Sequence, residues 1–349
     1  MAQIELVTPH DYQELARFLA DFEDDGRDQQ FWMNHLRFWW DENPALNSEI
    51  PCGWIIRDTR IGGFLGNVPT FFQLGGQEVV VHNSTTWRVA DAYRQLSLAL
   101  FERLIRQSKS RILLNTTPID SVAKIMQAMS FKLLPRKSFS VGFAILDFDS
   151  FLHSRIGNSR VRITLAHVAH AVTKLRGWEQ SRVKSELRIV EVKRADASFD
   201  ELWMRTRHQY AHTNARTARD LNWFCFANQN IPKLILAAYE GAMLVGFIML
   251  KRFKLLDHSK DRLECIDLWV DRKVHDVTLG LMHATVKLAR ERSLESVQFP
   301  CFNEEMVRGC QQLGLFMRLA KPARDYAKIP LENINAVRED NSYFVISQG

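Results

Sequence analysis

The sequence predicts an α/β (α+β) chain of two tandem domains, each a mixed, mostly antiparallel sheet flanked by helices. Three observations carry this reading. The 349 residues suffice for about two domains. Short β-rich runs, then helix, strand, helix and strand, recur in the same order in both halves. Ile56-Arg-Asp-Thr-Arg-Ile-Gly-Gly-Phe in the first half has a counterpart in Tyr239-Glu-Gly-Ala-Met-Leu-Val-Gly-Phe in the second. An offset of about 185 residues is far too long for a solenoid and indicates duplication of a whole domain. The expected boundaries are 1–150, a basic linker helix over 151–185, and 186–349.

In the first half, Ile4–Val7 reads as a strand. The next run places Leu15, Phe18 and Leu19 on one helical face. Phe31–Trp40 is an aromatic helix, ended by Asn43-Pro44 because the residue before proline avoids the helical region. Gly53–Arg57, Ile61–Leu65 and Thr70–Leu74 are short strands, with Gly75-Gly76 as a turn. Glu78–Val89 is a long strand rich in β-branched residues. The period then changes: Leu98, Phe101, Leu104 and Ile105 form a helix face that Ser97 is suited to cap. Arg111–Asn115, Asp120–Met129 and Phe131–Leu134 follow as strand, helix and strand.

In the second half, Leu187–Val192 is a strand and Phe199–Asn214 a helix. Leu234–Tyr239, Met243–Lys251 and Arg262–Val270 are strands. Thr278–Ser293 is a helix, Val297–Pro300 a strand and Glu304–Leu313 a helix, and strands close the chain from Leu315 onward.

Composition narrows the functional class. At 46% hydrophobic and 25% charged, the chain has the make-up of a globular protein. Its net charge of +6 is concentrated between Phe151 and Ser185 rather than along a nucleic-acid-binding stripe, so no nucleic-acid partner is expected. The 5 cysteines have no CxxC spacing, which argues against a zinc knuckle or a disulfide framework. No metal and a reducing, cytoplasmic setting are therefore expected. No run approaches the roughly 18 apolar residues needed to span a bilayer.

The chemistry-bearing stretch is Val89–Ala99. A strand, a tight loop and a helix N-terminus leave several backbone N–H groups pointing one way, with the helix dipole behind them. That is an anion site suited to a pyrophosphate. The segment resembles the acyl-CoA motif of the GNAT superfamily of N-acyltransferases, Val-x-Pro-x-Tyr-Arg-Gly-x-Gly-x-Gly/Ala. Val89, Tyr93, Arg94 and Ala99 match, and Ser97 stands at the principal glycine. Asn115 at the end of the next strand, and Ser130-Phe131 after the next helix, extend the likeness over about residues 50–135. The second half follows by element order.

The resemblance implies two tandem GNAT-like domains, with acetyl-CoA or a longer acyl-CoA held by Val89, Arg94, Gln95, Leu96, Ser97, Leu98, Ala99 and Asn115. The Val89 N–H would polarise the thioester carbonyl. It implies direct attack by an amine or hydroxyl of a small-molecule acceptor, with His82 or Asn83 near the base position. Met126 stands where the family often has a tyrosine acid. Either water then protonates the leaving thiol, or the domain binds without catalysis.

Only Gly280 remains of a phosphate loop in the second half, which reads as a degenerate copy; Arg272, Lys273 and His275 could contact phosphate or form a solvated loop. The aromatic helix divides between core, with Trp32 and Phe38, and a wall for the acceptor, with Trp39, Trp40 and Asn43. The basic segment 151–185 reads as a solvated linker, or as a docking face for an acidic acyl-carrier protein or an anionic membrane surface. A carrier-protein donor would suit an acyl- or aminoacyltransferase of cell-envelope or polysaccharide synthesis.

Overall fold

The structure is a computed structural model. It describes residues 2–22, 26–108, 112–116, 118–134, 140–153, 156, 160–167, 187–228, 230–253, 261–320, 325–329 and 342–344. The basic segment is described only in part, with helix at 160–167. The docking face expected there lies largely outside the described residues.

The chain divides into two compact units that do not follow chain order. One comprises Met1–Arg136, His208–Asn230 and Ala323–Gly349, and the other comprises Lys137–Arg207 and Ile231–Pro322.

The first unit is built on nine described strands. These are β1 (Gln3–Leu6), β2 (Gly53–Arg57), β3 (Ile61–Leu74), β4 (Gln77–Val89), β5 (Leu113–Asn115), β6 (Lys132–Leu133), β9 (His212–Asn214), β15 (Tyr326–Lys328) and β16 (Ser342–Tyr343). The spatial order is β1-β2-β3-β4-β5-β15-β6, with β9 pairing both β3 and β16. Helices α3 (Ser97–Gln107) and α4 (Asp120–Ala128) cover one face through Leu100, Phe101, Leu104, Ala123 and Met126, packed on Trp54, Ile56, Leu65, Leu113 and Tyr326. On the other face, Trp40 at the end of α2 (Gln29–Trp39) meets Phe64 with ring centroids 6.3 Å apart. Helix α1 (Tyr12–Ala20) buries Tyr12, Leu15, Ala16 and Leu19.

The two strands expected at 61–65 and 70–74 are one strand, β3, running through Pro69. A proline inside a sheet removes a ladder bond. It fits because β2 pairs only with residues up to Gly66 and β9 only from Phe72, so one edge is open to strand pairing at Pro69. A second correction concerns Ser97. A 3-10 turn over Asp91–Leu96 runs straight into α3, and Ser97 is a helical residue with φ −58° and ψ −46° rather than a cap. Third, the helix expected over Phe199–Asn214 ends at Thr206, and His212–Asn214 is a strand of the first sheet.

The second unit has the strand order β14-β7-β13-β12-β11-β10-β8. Its strands are β7 (Ser140–Ile145), β8 (Arg188–Val192), β10 (Lys233–Glu240), β11 (Met243–Phe253), β12 (Arg262–Val270), β13 (Ser296–Pro300) and β14 (Phe316–Leu319). Helices α5 (Phe148–His153), α6 (Ala197–Thr206), α8 (Val277–Glu291) and α9 (Glu304–Gln312) accompany it, while α7 (Ala218–Leu221) belongs to the first unit.

The halves exchange a strand. β15, from the C-terminal end, fills the slot between β5 and β6 of the first sheet. β7, from the N-terminal half, fills the matching slot between β13 and β14 of the second. The strands expected from Leu315 onward therefore serve different sheets.

No helix among the described residues is long and apolar enough to cross a membrane.

Candidate functional site

The first sheet opens at one point. Among the described residues, β4 pairs with β5 in parallel at His82↔Leu113 and Asn83↔Leu114 alone. Past that point the strands part. At the neck, Ser84 Oγ donates to the Leu114 carbonyl (3.2 Å), and Asn115 Nδ2 donates to Ser84 Oγ (2.8 Å).

Two features shape the β4 side of the gap. Phe64↔Arg88 and Gly66↔Thr85 set three steps on β4 against two on β3, which is a bulge. Thr86 takes its strain, with φ at 48°. A β-branched residue in the left-handed region is an outlier that persists only where its surroundings impose it. Beyond the bulge, the Ala90 N–H donates to Gly62 O (2.9 Å). Successive N–H groups along a strand point to opposite edges, so the Val89 N–H faces the gap.

Two buried polar atoms at the gap have no hydrogen-bond partner among the described residues, Trp87 Nε1 and Asn115 Oδ1. Trp87 stacks on Phe101 of α3 at 4.9 Å between centroids, so its indole lies on the α3/α4 face. Asn115 shares that face by alternation with Leu113. A buried donor and a buried acceptor left unpaired cost about 1–3 kcal/mol each unless something meets them.

The helix N-terminus behind the gap is accessible. Asp91, Ala92, Arg94, Gln95 and Leu98 are exposed, whereas Tyr93, Leu96, Ser97 and Ala99 are half-buried. Tyr93 covers Gly62, where a Cβ would meet the ring at 2.2 Å, so this loop closes only over glycine. Arg94 pairs with Asp91 (2.9 Å) on the surface. Ser97 has negative φ, so serine in place of glycine brings no backbone strain there.

His82 and Asn83 do not open to this gap. His82 is 1% exposed, its Nδ1 within 3.2 Å of Asn67 Nδ2 and 3.3 Å of Ser108 Oγ. Asn83 donates to Val68 O and Thr70 Oγ1. Both tie strands together. Trp39, Trp40 and Asn43 are likewise buried. Trp40 Nε1 donates to Asn67 O, and Asn43 Nδ2 to Trp39 O and Pro69 O. These side chains build the core rather than the wall of an open pocket.

Met126 is buried among α3, α4 and the sheet. The residue that the sequence did not reveal here is Tyr326. β15 places it directly opposite Asn115, and its hydroxyl accepts from Gln127 Nε2 of α4 (2.9 Å). Among the described residues its own hydroxyl hydrogen has no acceptor. No local signal could have shown this, because Tyr326 lies about two hundred positions from its neighbours and arrives by strand exchange.

On the opposite face lies a small apolar cavity of about 20 Å³, room for about one water molecule. Phe72, Val81, Leu114, Leu134, Ala327 and Phe344 line it. Leu114 connects it to the neck of the gap.

The second sheet repeats the opening. β12 pairs with β13 only over Arg262–Glu264, and then the strands part. Here a pocket at the start of α8 includes Arg272, His275, Thr278 and Arg308, but also Glu305. Glu305 lies 3.9 Å from Arg272 and accepts from Thr278 Oγ1 (3.2 Å). An internal carboxylate thus occupies the place an anion would take. Gly280 is buried in α8.

No family model and no curated protein matches the chain. Solved structures do. Saccharomyces cerevisiae N-myristoyltransferase with bound myristoyl-CoA is similar at 11% identity and a TM-score of 0.57, over 99% of this chain and 89% of that one. A GCN5-related N-acetyltransferase from Anabaena variabilis is similar at 13% identity and a TM-score of 0.55, over 94% and 73%. A conserved Enterococcus faecalis protein, described as a probable N-acyltransferase, is similar at 10% identity and a TM-score of 0.59, over 94% and 73%. The chain has the tandem GNAT fold.

Proposed function

We propose that the first unit binds an acyl-CoA and transfers its acyl group to an amine. The observation that carries the reading is the parting of β4 and β5, with Trp87 Nε1 and Asn115 Oδ1 buried and unpaired on its helix face. The pantetheine arm of CoA carries amides that would meet both atoms. The exposed turn over Asp91–Leu96 that leads into α3 would lie against the pyrophosphate, with the helix dipole behind it.

The acceptor nitrogen attacks the thioester carbon, and the Val89 N–H stabilises the oxyanion. The tetrahedral species collapses with loss of the C–S bond. The leaving thiolate takes a proton, for which Tyr326 offers an uncommitted hydroxyl hydrogen on the same face. The proton lost by the amine passes to water. His82 and Asn83 hold β4 in register in this reading rather than receiving that proton.

Glu305 in the second pocket favours the first unit as the donor site.

Calorimetric titration of the full chain with acetyl-, octanoyl- and myristoyl-CoA tests this. At least one of the three should bind in the micromolar range. Absence of binding by all three at high micromolar concentration would sink the proposal. Binding with no thiol release over a broad amine panel would leave a non-catalytic acyl-CoA module.

A further inference from the structure

The second unit holds a thiol pair that the transfer chemistry does not use. Cys301 follows β13 and Cys310 sits on α9. Their sulfurs are 3.7 Å apart, and both side chains are buried. Neither is in a disulfide. Gly142 of β7 presses on the pair, since a Cβ there would meet Cys310 Sγ at 2.4 Å. Bond formation requires the sulfurs to approach from 3.7 Å to about 2.05 Å.

The two sulfurs are chemically unequal. The contact with Cys310, in which either sulfur can donate, lowers the Cys301 thiol below the ordinary range, with Ser140 and the Gly142 backbone adding to this and burial opposing it; Cys301 Sγ also lies 3.4 Å from Phe299 O. The same hydrogen bond, and burial, push Cys310 up. A third thiol, Cys265, lies fully buried on β12, where burial raises it. Two buried sulfurs in contact and of unequal acidity are the elements of an attacking and a resolving thiol, provided an oxidant reaches them.

We propose that Cys301 and Cys310 form a reversible intramolecular disulfide under hydrogen peroxide. The Cys301 thiolate attacks one peroxide oxygen, the O–O bond breaks, and the other oxygen leaves as water after taking a proton. Cys301 is then a sulfenic acid. The Cys310 sulfur attacks the Cys301 sulfur and displaces hydroxide, which leaves as water with the Cys310 proton. In sum, two thiols lose two electrons and two protons, and peroxide is reduced to two waters. The bond would fasten α9 to the end of β13, and reduction by a dithiol would release it.

The test uses the full chain. Protein treated with a graded excess of peroxide is denatured, alkylated with N-ethylmaleimide and mapped by mass spectrometry. The expected result is loss of two alkylated positions, a cross-linked pair containing Cys301 and Cys310, and full reversal by dithiothreitol. Cys265→Ser should keep the cross-link. Cys310→Ser should instead leave a Cys301 sulfenic acid that dimedone traps. Five alkylated cysteines after treatment would overturn the proposal. So would a cross-link through Cys265, or sulfinic acid at Cys301 with no link. Wild-type mapping decides the matter if a variant fails to fold.

Discussion

At the scale of single residues, four described side chains, on Thr86, Ser130, Asp276 and Ser293, occupy backbone conformations that glycine would hold more cheaply, and two of them lie in the first unit. Thr86 has φ 48° at the bulge, and Ser130 has φ 63° after α4. Ser130 closes a C-terminal cap in which Phe131 N bonds Met126 O, and Gly314 does the same after α9, where Leu315 N bonds Cys310 O. The left-handed region costs a non-glycine residue roughly 1–2 kcal/mol, against about 0.5–1 kcal/mol of extra chain entropy for glycine. Ser130→Gly should therefore raise stability by about 0.5–1 kcal/mol in urea titrations and leave acyl transfer unchanged. Thr86→Gly should also stabilise, yet lower the transfer rate about tenfold by loosening the bulge. Equal activity in both variants would show that the strained residue has no part in the site. Tyr326→Phe removes the hydroxyl, and with it both the hydrogen that the leaving thiolate would take and the acceptor of Gln127 Nε2. A fall in kcat of about a hundredfold with KM unchanged is expected, within the range of general-acid effects. An unchanged kcat would return that proton to water.

At the scale of elements, α3 separates two demands on one helix start. An added carboxylate there favours the helix dipole by about 0.3–1 kcal/mol but repels a bound pyrophosphate. Ser97→Asp should therefore melt no lower than the parent by differential scanning calorimetry. It should bind acyl-CoA at least tenfold more weakly, a loss of roughly 1.4 kcal/mol. Equal weakening of fold and binding would mean that Ser97 acts through packing. The long strand β4 illustrates a different point. Its β-branched run predicted a strand, and the strand is there, but alternation did not reveal that it would separate from β5 after Asn83. That break depends on how far the short β5 extends and on the bulge at Thr86, both set by partners distant in sequence. The same reason hid the burial of His82 and Trp40. A histidine or tryptophan in a strand or helix can face solvent, a ligand or the core, and only the packed neighbours decide which.

At the scale of the whole molecule, the exchanged strands tie the halves' folding together. β15 sits inside the first sheet with a strand on either side, so a proline there would lose a ladder bond that nothing replaces. Ala327→Pro should cost about 3 kcal/mol or more, read as an early unfolding transition in urea. Residues 1–136 expressed alone should show no cooperative melt by circular dichroism, because the slot between β5 and β6 would be empty. A cooperative melt of that fragment would show that the exchange is dispensable. The sequence by itself determined the duplicated α/β plan, most strand and helix positions and the acyl-CoA-like loop from Val89 to Ala99. Those rest on local periodicity, turn chemistry and a contiguous motif. Tertiary structure alone decided where β7 and β15 pair, that Ser97 continues a helical turn, and that Tyr326 stands opposite Asn115. Strand pairing is a choice among edges of similar local character, and its outcome depends on the free energy of the assembled sheets rather than on any one segment.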